Sequence, residues 1–199
     1  MRGRGHVRRG RSGAQGRRRD GRREDGLGGP GHRRPGGGHH RQRHRGLDVS
    51  LPILSPVAGE VVAITEVPDP VFAEAMVGPG IAVKPSGGRA DAVAPVDGTV
   101  VTLHPHAYVV ATEDGRAVLV HLGIDTVKEK GEGFTLHVVK GEKVRAGQPI
   151  VGWDPEAVAA KGYSPIVPVV GLDASADVLA GLEGGRTVAA GDELFTWNS

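Results

Sequence analysis

Cysteine is absent from all 199 residues. Disulfide frameworks and zinc–thiolate sites are therefore excluded, which agrees with a reducing compartment. Aromatic residues are almost as scarce, with two Trp, two Tyr and three Phe, so a core has to be built from aliphatic side chains. No apolar run approaches the roughly 18 residues that a membrane-crossing helix needs. The Arg-rich start also lacks the apolar stretch of a signal peptide, and the expected location is the cytoplasm. No Gly-rich phosphate loop and no Gly-x-Ser-x-Gly elbow is present. With those and cysteine missing, histidine is the nucleophile left to consider.

Lysine is missing from one part of the chain only. Residues 1–46 hold 15 Arg, no Lys and 3 acids, a net of +12, whereas residues 47–199 hold 10 Lys plus Arg against 20 acids, a net of −10. The basic stretch offers two large aliphatic residues, Val7 and Leu27, and no aromatic ring. It cannot bury a core and is expected to be a disordered tail. Without aromatics to stack on bases, no nucleic-acid partner is expected. Arg without Lys is also what a GC-rich region gives when translation is assigned too early a start. The domain proper is expected over 47–199.

What the chain does have in abundance is Gly, Pro and Val, a composition of short strands and tight turns. The expected fold is all-β, an antiparallel β-sandwich or barrel with one or two short helices. Two segments read Pro-Val-x-Gly-x-Val-Val, at Pro56–Val62 and Pro95–Val101, each a turn whose Gly allows a positive φ before a strand. They suggest two similar strand–turn–strand units within one domain. Pro70 starts a helical turn over 71–75, stopped by Gly78-Pro79-Gly80. Asp154 caps a second helix over 155–161, which Gly162 ends. Strands are expected at 81–84, 135–139, 149–153, 166–170 and across 188–197.

The chemistry concentrates in Gly115–Val127. The apolar run Ala117–Val120 delivers one imidazole, His121, and a second histidine, His106, heads the run Ala107–Ala111. Between the runs, 112–115 reads as a hairpin turn. If those four residues are the loop, His106 lies directly across from His121, with Cβ atoms roughly 4.5–5.5 Å apart. A two-residue loop makes the two histidines diagonal neighbours, and a three-residue loop puts them on opposite faces. A neutral imidazole is a good nucleophile near pH 7, and apolar neighbours such as Leu119 and Leu122 favour the neutral form. A second imidazole can stabilise charge on an incoming group. A phosphohistidine relay suits this pair, since phosphoryl transfer needs mainly positioning and charge stabilisation.

Residues 51–197 resemble the glucose-type enzyme IIA of the bacterial phosphoenolpyruvate-dependent sugar phosphotransferase system. The resemblance rests on Gly115–Val127 and, in order along the chain, on Val67-Pro68-Asp69, Val71-Phe72-Ala73-Glu74, Val77-Gly78-x-Gly80-Ile81, Lys84-Pro85, Ala94–Thr99, His106-Ala107 and Lys130–Phe134. It implies a phosphotransferase without cofactor, which accepts phosphate from the carrier HPr and donates it to the IIB domain of a sugar permease. It implies that His121 is phosphorylated and that His106 stabilises the phosphoryl group. No intrinsic metal is implied, although this histidine pair can take zinc adventitiously or with a partner. Val71, Phe72, Met76, Val77, Leu119 and Val127 would form an apolar docking patch, with Asp69 and Asp125 at its edge to meet basic residues. Regulated permeases or kinases are further partners of some family members. The chain departs from the family pattern before His106, where it reads Leu103-His104-Pro105-His106 and lacks a hydroxyl residue.

Rival readings come from other classes. His104, His106, His121 and Asp125 together suggest a zinc endopeptidase of the lysostaphin type, but the order of the His motifs is reversed. The segments 140–150 and 188–194 look like pieces of a lipoyl or biotinyl carrier, yet no Met-Lys-Met or Asp-Lys-Ala hairpin is present to hold the cofactor. A regulatory binding domain without transfer activity is the remaining alternative.

Overall fold

Gly and Pro break the chain into short strands in the computed structural model, which describes residues 49–199. The tail expected over 1–46 lies outside the described residues. The first elements are β1 (Leu51–Leu54), β2 (Gly59–Ala63), α1 (Pro70–Ala73), β3 (Gly80–Pro85) and β4 (Ala90–Val93). Then come β5 (Gly98–His104), β6 (Ala107–Ala111), β7 (Ala117–His121), β8 (Thr135–Leu136) and β9 (Lys143–Val144). The rest are β10 (Pro149–Trp153), α2 (Pro155–Ala160), β11 (Val167–Leu172), β12 (Leu179–Ala180), β13 (Thr187–Val188) and β14 (Glu193–Trp197). One eight-stranded sheet has the order β13-β2-β3-β11-β7-β6-β5-β9, and two three-stranded sheets run β1-β14-β12 and β4-β10-β8. All-β architecture with two short helices is what the composition implied.

The two Pro-Val-x-Gly segments are locked to each other. The Leu54 N–H donates to the Pro95 carbonyl and the Val93 N–H to the Pro56 carbonyl, both at 2.9 Å. Each segment then repeats the same bonds with its own later loop. The Ser55 N–H donates to the Asp192 carbonyl and the Gly191 N–H returns to Ser55. Likewise the Ala94 N–H donates to Gln148 and the Gly147 N–H returns to Ala94. The two similar units are thus interleaved about an internal pseudo-two-fold relation, each closed by a short strand, β13 against β2 and β9 against β5. The reason for glycine in the motif differs from the expected positive φ. Neither Gly59 nor Gly98 has one. Instead, a Cβ at either position would collide with a carbonyl oxygen of the adjoining strand, that of Lys84 or of Ala111.

Both helices start where Asp-Pro places them. Asp69 accepts from the Val71 N–H, and Asp154 from the Glu156 and Ala157 N–H groups, satisfying donors that have no intrahelical partner. The first helix stops at Ala73, before the expected Gly78, because Ala75 turns left-handed at φ 52°. The strand expected over 135–139 pairs only at Thr135–Leu136, and the segment 188–197 is split by a tight turn into β13 and β14.

Alternation along the central strands gives the large sheet two covered faces. Tyr108, Val110, Val118 and Val120 enter the main core together with Ile53, Trp153 and Phe195 from the two small sheets. The buried Tyr108 hydroxyl donates to the Val93 carbonyl at 2.7 Å. On the opposite face Val62, Ala82 and Val170 form a second, smaller cluster with Val67, Phe72, Ile124 and Ile166, and Leu119 packs against it. His121 lies two residues beyond Leu119 on the same strand and so faces this second side.

Candidate active site

The hairpin that carries the histidines follows the register that, on a regular ladder, should separate them. Thr112 pairs with Arg116 through a 2.8 Å bond from the Thr112 N–H, so the loop is the three residues Glu113–Gly115, with Gly115 at φ 90°. His121 is therefore opposite Ala107, not His106. The rings nevertheless meet, at a centroid distance of 5.2 Å and an interplanar angle of 65°. The reason is local: Pro105 and His106 form the turn between β5 and β6, so His106 stands outside the pleat and strand alternation does not fix its direction. Its carbonyl accepts the Leu122 N–H at 2.7 Å, which ties the turn to the residue after His121.

Beyond His121 the backbone is held from several sides. Gly123 adopts φ 76°, the Ile124 N–H donates to the Ser164 carbonyl at 2.8 Å, and the buried Thr126 hydroxyl donates to the Leu122 carbonyl at 2.8 Å. This places the Gly123 carbonyl oxygen 2.6 Å from His121 Nδ1. A carbonyl oxygen only accepts, so Nδ1 carries the proton and Nε2 keeps a free lone pair. Phe72 packs edge-on against the other side of the His121 ring, at a centroid distance of 5.3 Å. The His121 ring is thus fixed in tautomer by a backbone carbonyl and packed by two rings.

Substituting Gly123→Ala should break this arrangement. A Cβ there would stand 2.7 Å from Thr126 Cγ2 and 2.9 Å from the Ser164 carbonyl oxygen, at a φ that L side chains avoid. Left-handed strain of about 1–2 kcal/mol and overpacking of about 1–3 kcal/mol should lower unfolding stability, with phosphate uptake falling as Nδ1 loses its acceptor. Denaturant titration and an uptake assay check this, and a variant as stable and active as the parent contradicts it.

Both imidazoles are biased toward the neutral form. Burial pushes the pKa of His121 down, opposed by the Gly123 carbonyl and the Asp69 carboxylate, which favour the charged ring. His106 falls from its ordinary 6.5 to about 4, first through burial and then through repulsion by His121 and His104. Between pH 6.5 and about 4 the unfolded chain therefore binds more protons than the folded one at His106. The stability linked to these groups should be complete above about pH 6.5 and should drain away as pH falls through that window. Urea midpoints should be lower at about pH 5 than at about pH 7.5, with a smaller difference in His106→Gln. An undiminished difference would remove His106 as the source.

The expected docking residues separate into two layers. Val71, Met76 and Val127 are 39%, 68% and 58% exposed, whereas Phe72 is only 6% exposed. Val77 and Leu119 are half-buried against the second cluster. Phe72 thus packs against the His121 ring and is not itself presented at the surface. Asp69 is the cap of α1 as well as a charge near His121. Asp125 is exposed but pairs with Lys128 at 3.1 Å. Sequence reasoning missed the role of the Gly123 carbonyl, although the Gly two residues after His121 was the available signal. His104, read as one of four zinc donors, stacks on His106 at 5.8 Å and 20°. Among the described residues no group of three or more His, Cys, Asp or Glu side chains is placed to hold a metal ion.

Comparison with known proteins identifies the family. The family model for the phosphoenolpyruvate-dependent sugar phosphotransferase system, EIIA 1, matches residues 51–176. The chain is 41% identical over 122 residues to the PTS system glucose-specific EIIA component of Oceanobacillus iheyensis, covering 60% of this chain and 73% of that protein. It is 44% identical over 120 residues to the PTS system glucose-specific EIIBCA component of Corynebacterium glutamicum, covering 59% of this chain. The match spans only 18% of the length of that larger relative. The solved glucose permease IIA from Mycoplasma capricolum matches with a TM-score of 0.69 at 34% identity, over 75% of this chain and 96% of that one. The chain belongs to the EIIA family of the sugar phosphotransferase system and is a phosphoryl carrier of that type. None of these matches supports the lipoyl, biotinyl or zinc endopeptidase readings. Among the described residues no helix is long and apolar enough to cross a membrane.

Proposed function

We propose that His121 Nε2 is the atom that carries the phosphoryl group, as a phosphohistidine intermediate. The observation that carries this reading is the 2.6 Å contact between His121 Nδ1 and the Gly123 carbonyl, which leaves Nε2 as the free lone pair. That lone pair attacks the phosphorus of phospho-HPr. The new P–N bond forms as the donor's P–N bond breaks, and the released electron pair returns to the donor imidazole. No proton has to move during the transfer. The His121 ring gains positive charge as the bond forms, and the groups that favour its charged form, the Gly123 carbonyl and Asp69, are already in place to share it. His106 supplies an N–H to the phosphoryl oxygens. The second step passes the group to the IIB domain of a sugar permease at the cytoplasmic side.

The exposed Val71, Met76 and Val127 form the apolar centre of the surface that docks HPr and IIB, with Asp69 and Asp125 at its rim. The same surface serves regulated permeases or kinases. Residues 47–199 are the working unit. The test is reconstitution with labelled phosphoenolpyruvate, enzyme I, HPr and a glucose-type IIB domain. Label should reach the chain only when enzyme I and HPr are both present, and should leave it when IIB is added. No label with the complete set, or label that IIB cannot discharge, overturns the reading.

A further inference from the structure

His106 has an orientation to account for. Its ring nitrogens have no hydrogen-bond partner among the described residues, in contrast to His121, whose Nδ1 is held by Gly123. An imidazole rotates about χ2 in a broad well, so a ring without hydrogen bonds depends on its packing for direction. Two rings supply that packing. His121 meets it nearly edge-on, at 65°, and His104 lies almost parallel to it at 20° with centroids 5.8 Å apart. Among the described residues His104 is the one ring stacked on His106, and its packing limits rotation about χ2.

The local sequence explains why these two rings are side by side. His104 is the last residue of β5 and pairs with Ala107, the first residue of β6. The connection is Pro105-His106, with φ of Pro105 fixed by its ring. The loop at Gly131 passes close to Pro105, near enough that an added Cβ would come within 3.2 Å of Pro105 Cγ. The two-residue turn between paired strand ends thus sets the exposed His104 ring beside its neighbour. Among the described residues the His104 ring makes no other aromatic contact.

We propose that His104 is a positioning residue for phosphoryl transfer, its stacked imidazole setting the orientation in which His106 presents an N–H to the phosphoryl group on His121. This rests on the reading of His121 as the phosphorylated residue. The ring acts through His106 and touches neither the donor nor the acceptor. Its main effect falls on the step in which the P–Nε2 bond of His121 breaks, when charge on the phosphoryl oxygens needs a placed donor.

The test compares His104→Ala, which removes the ring, with His104→Phe, which keeps a flat face but no titratable group. The readout is the ratio of the onward-transfer rate to IIB over the uptake rate from phospho-HPr, measured with purified full-length chain. Loss of an aromatic stack of this kind corresponds to roughly a 3- to 10-fold change, and His104→Ala should lower the ratio by about that factor. His104→Phe should restore it to within about 2-fold of the parent. The ¹⁵N resonances of the His106 ring should broaden or shift in His104→Ala and return in His104→Phe. An unchanged ratio in His104→Ala, or a Phe variant as impaired as Ala, overturns the inference. Failure of the parent chain itself to take label on His121 overturns the phosphohistidine reading, and this inference with it.

Discussion

His121→Gln should accept no phosphate from phospho-HPr, with label at background in an assay that saturates the parent chain. Glutamine keeps the size and polarity of the side chain, and its amide can still face the Gly123 carbonyl. What it lacks is a nucleophilic lone pair, because the amide nitrogen shares its electrons with its own carbonyl. His106 is the group that could replace it, being 5.2 Å away and biased toward the neutral form. It should not do so. Nothing fixes its tautomer, whereas the Nδ1 bond to Gly123 sets that of His121, and the Gly123 and Asp69 groups that favour a charged ring act on His121 alone. Scintillation counting after electrophoresis measures the outcome. Label recovered on His106 of the variant would show a second nucleophile and would break the division of labour.

His106→Gln should separate the two halves of the reaction. His121 and its Gly123 contact remain, so on the proposed reading phosphate should still arrive on residue 121. Onward passage to IIB should fall by roughly 10²–10³, the usual cost of removing one placed donor to developing charge. The glutamine amide can donate too, but it lacks the flat ring that His104 stacks on, so its direction is not fixed. Rapid-quench measurement of discharge to IIB checks this. A variant that discharges as fast as the parent would reduce His106 to a packing residue.

The sequence carried the hairpin, the two histidines and both Asp-Pro helix starts, because each depends on a few adjacent residues. Where it misled, the deciding contact came from elsewhere in the chain. Gly59 and Gly98 are required by carbonyls of Lys84 and Ala111 on the adjoining strands, which no local turn rule anticipates. The three-residue loop at Glu113–Gly115 would have argued against a histidine pair, yet the rings meet because His106 belongs to the β5–β6 turn and escapes the alternation. Phe72 looked like a surface anchor beside exposed Val71. Only the second cluster, assembled from β2, β3, β11 and the loops near α1, shows that it is covered. The reciprocal bonds between the Pro56 and Pro95 segments were half visible as a repeated motif. Their closure by 185–192 and 141–148 was also there to be read: the loops run Gly-Arg-Thr-Val-Ala-Ala-Gly-Asp and Gly-Glu-Lys-Val-Arg-Ala-Gly-Gln, with Gly, Val, Ala and Gly at matching positions, a second repeat read only as a likeness to lipoyl or biotinyl carriers.

The most direct measurement is to find the atom that holds the phosphate. The chain, labelled with ¹⁵N-histidine, is phosphorylated through enzyme I and HPr and examined for one-bond coupling between ³¹P and ¹⁵N, with the residue assigned by peptide mapping at alkaline pH. The predicted result is phosphorus bonded to Nε2 of His121, labile in acid and stable in base. Phosphorus on His106, on Nδ1 of either ring, or as a base-labile ester on serine or threonine would contradict the account.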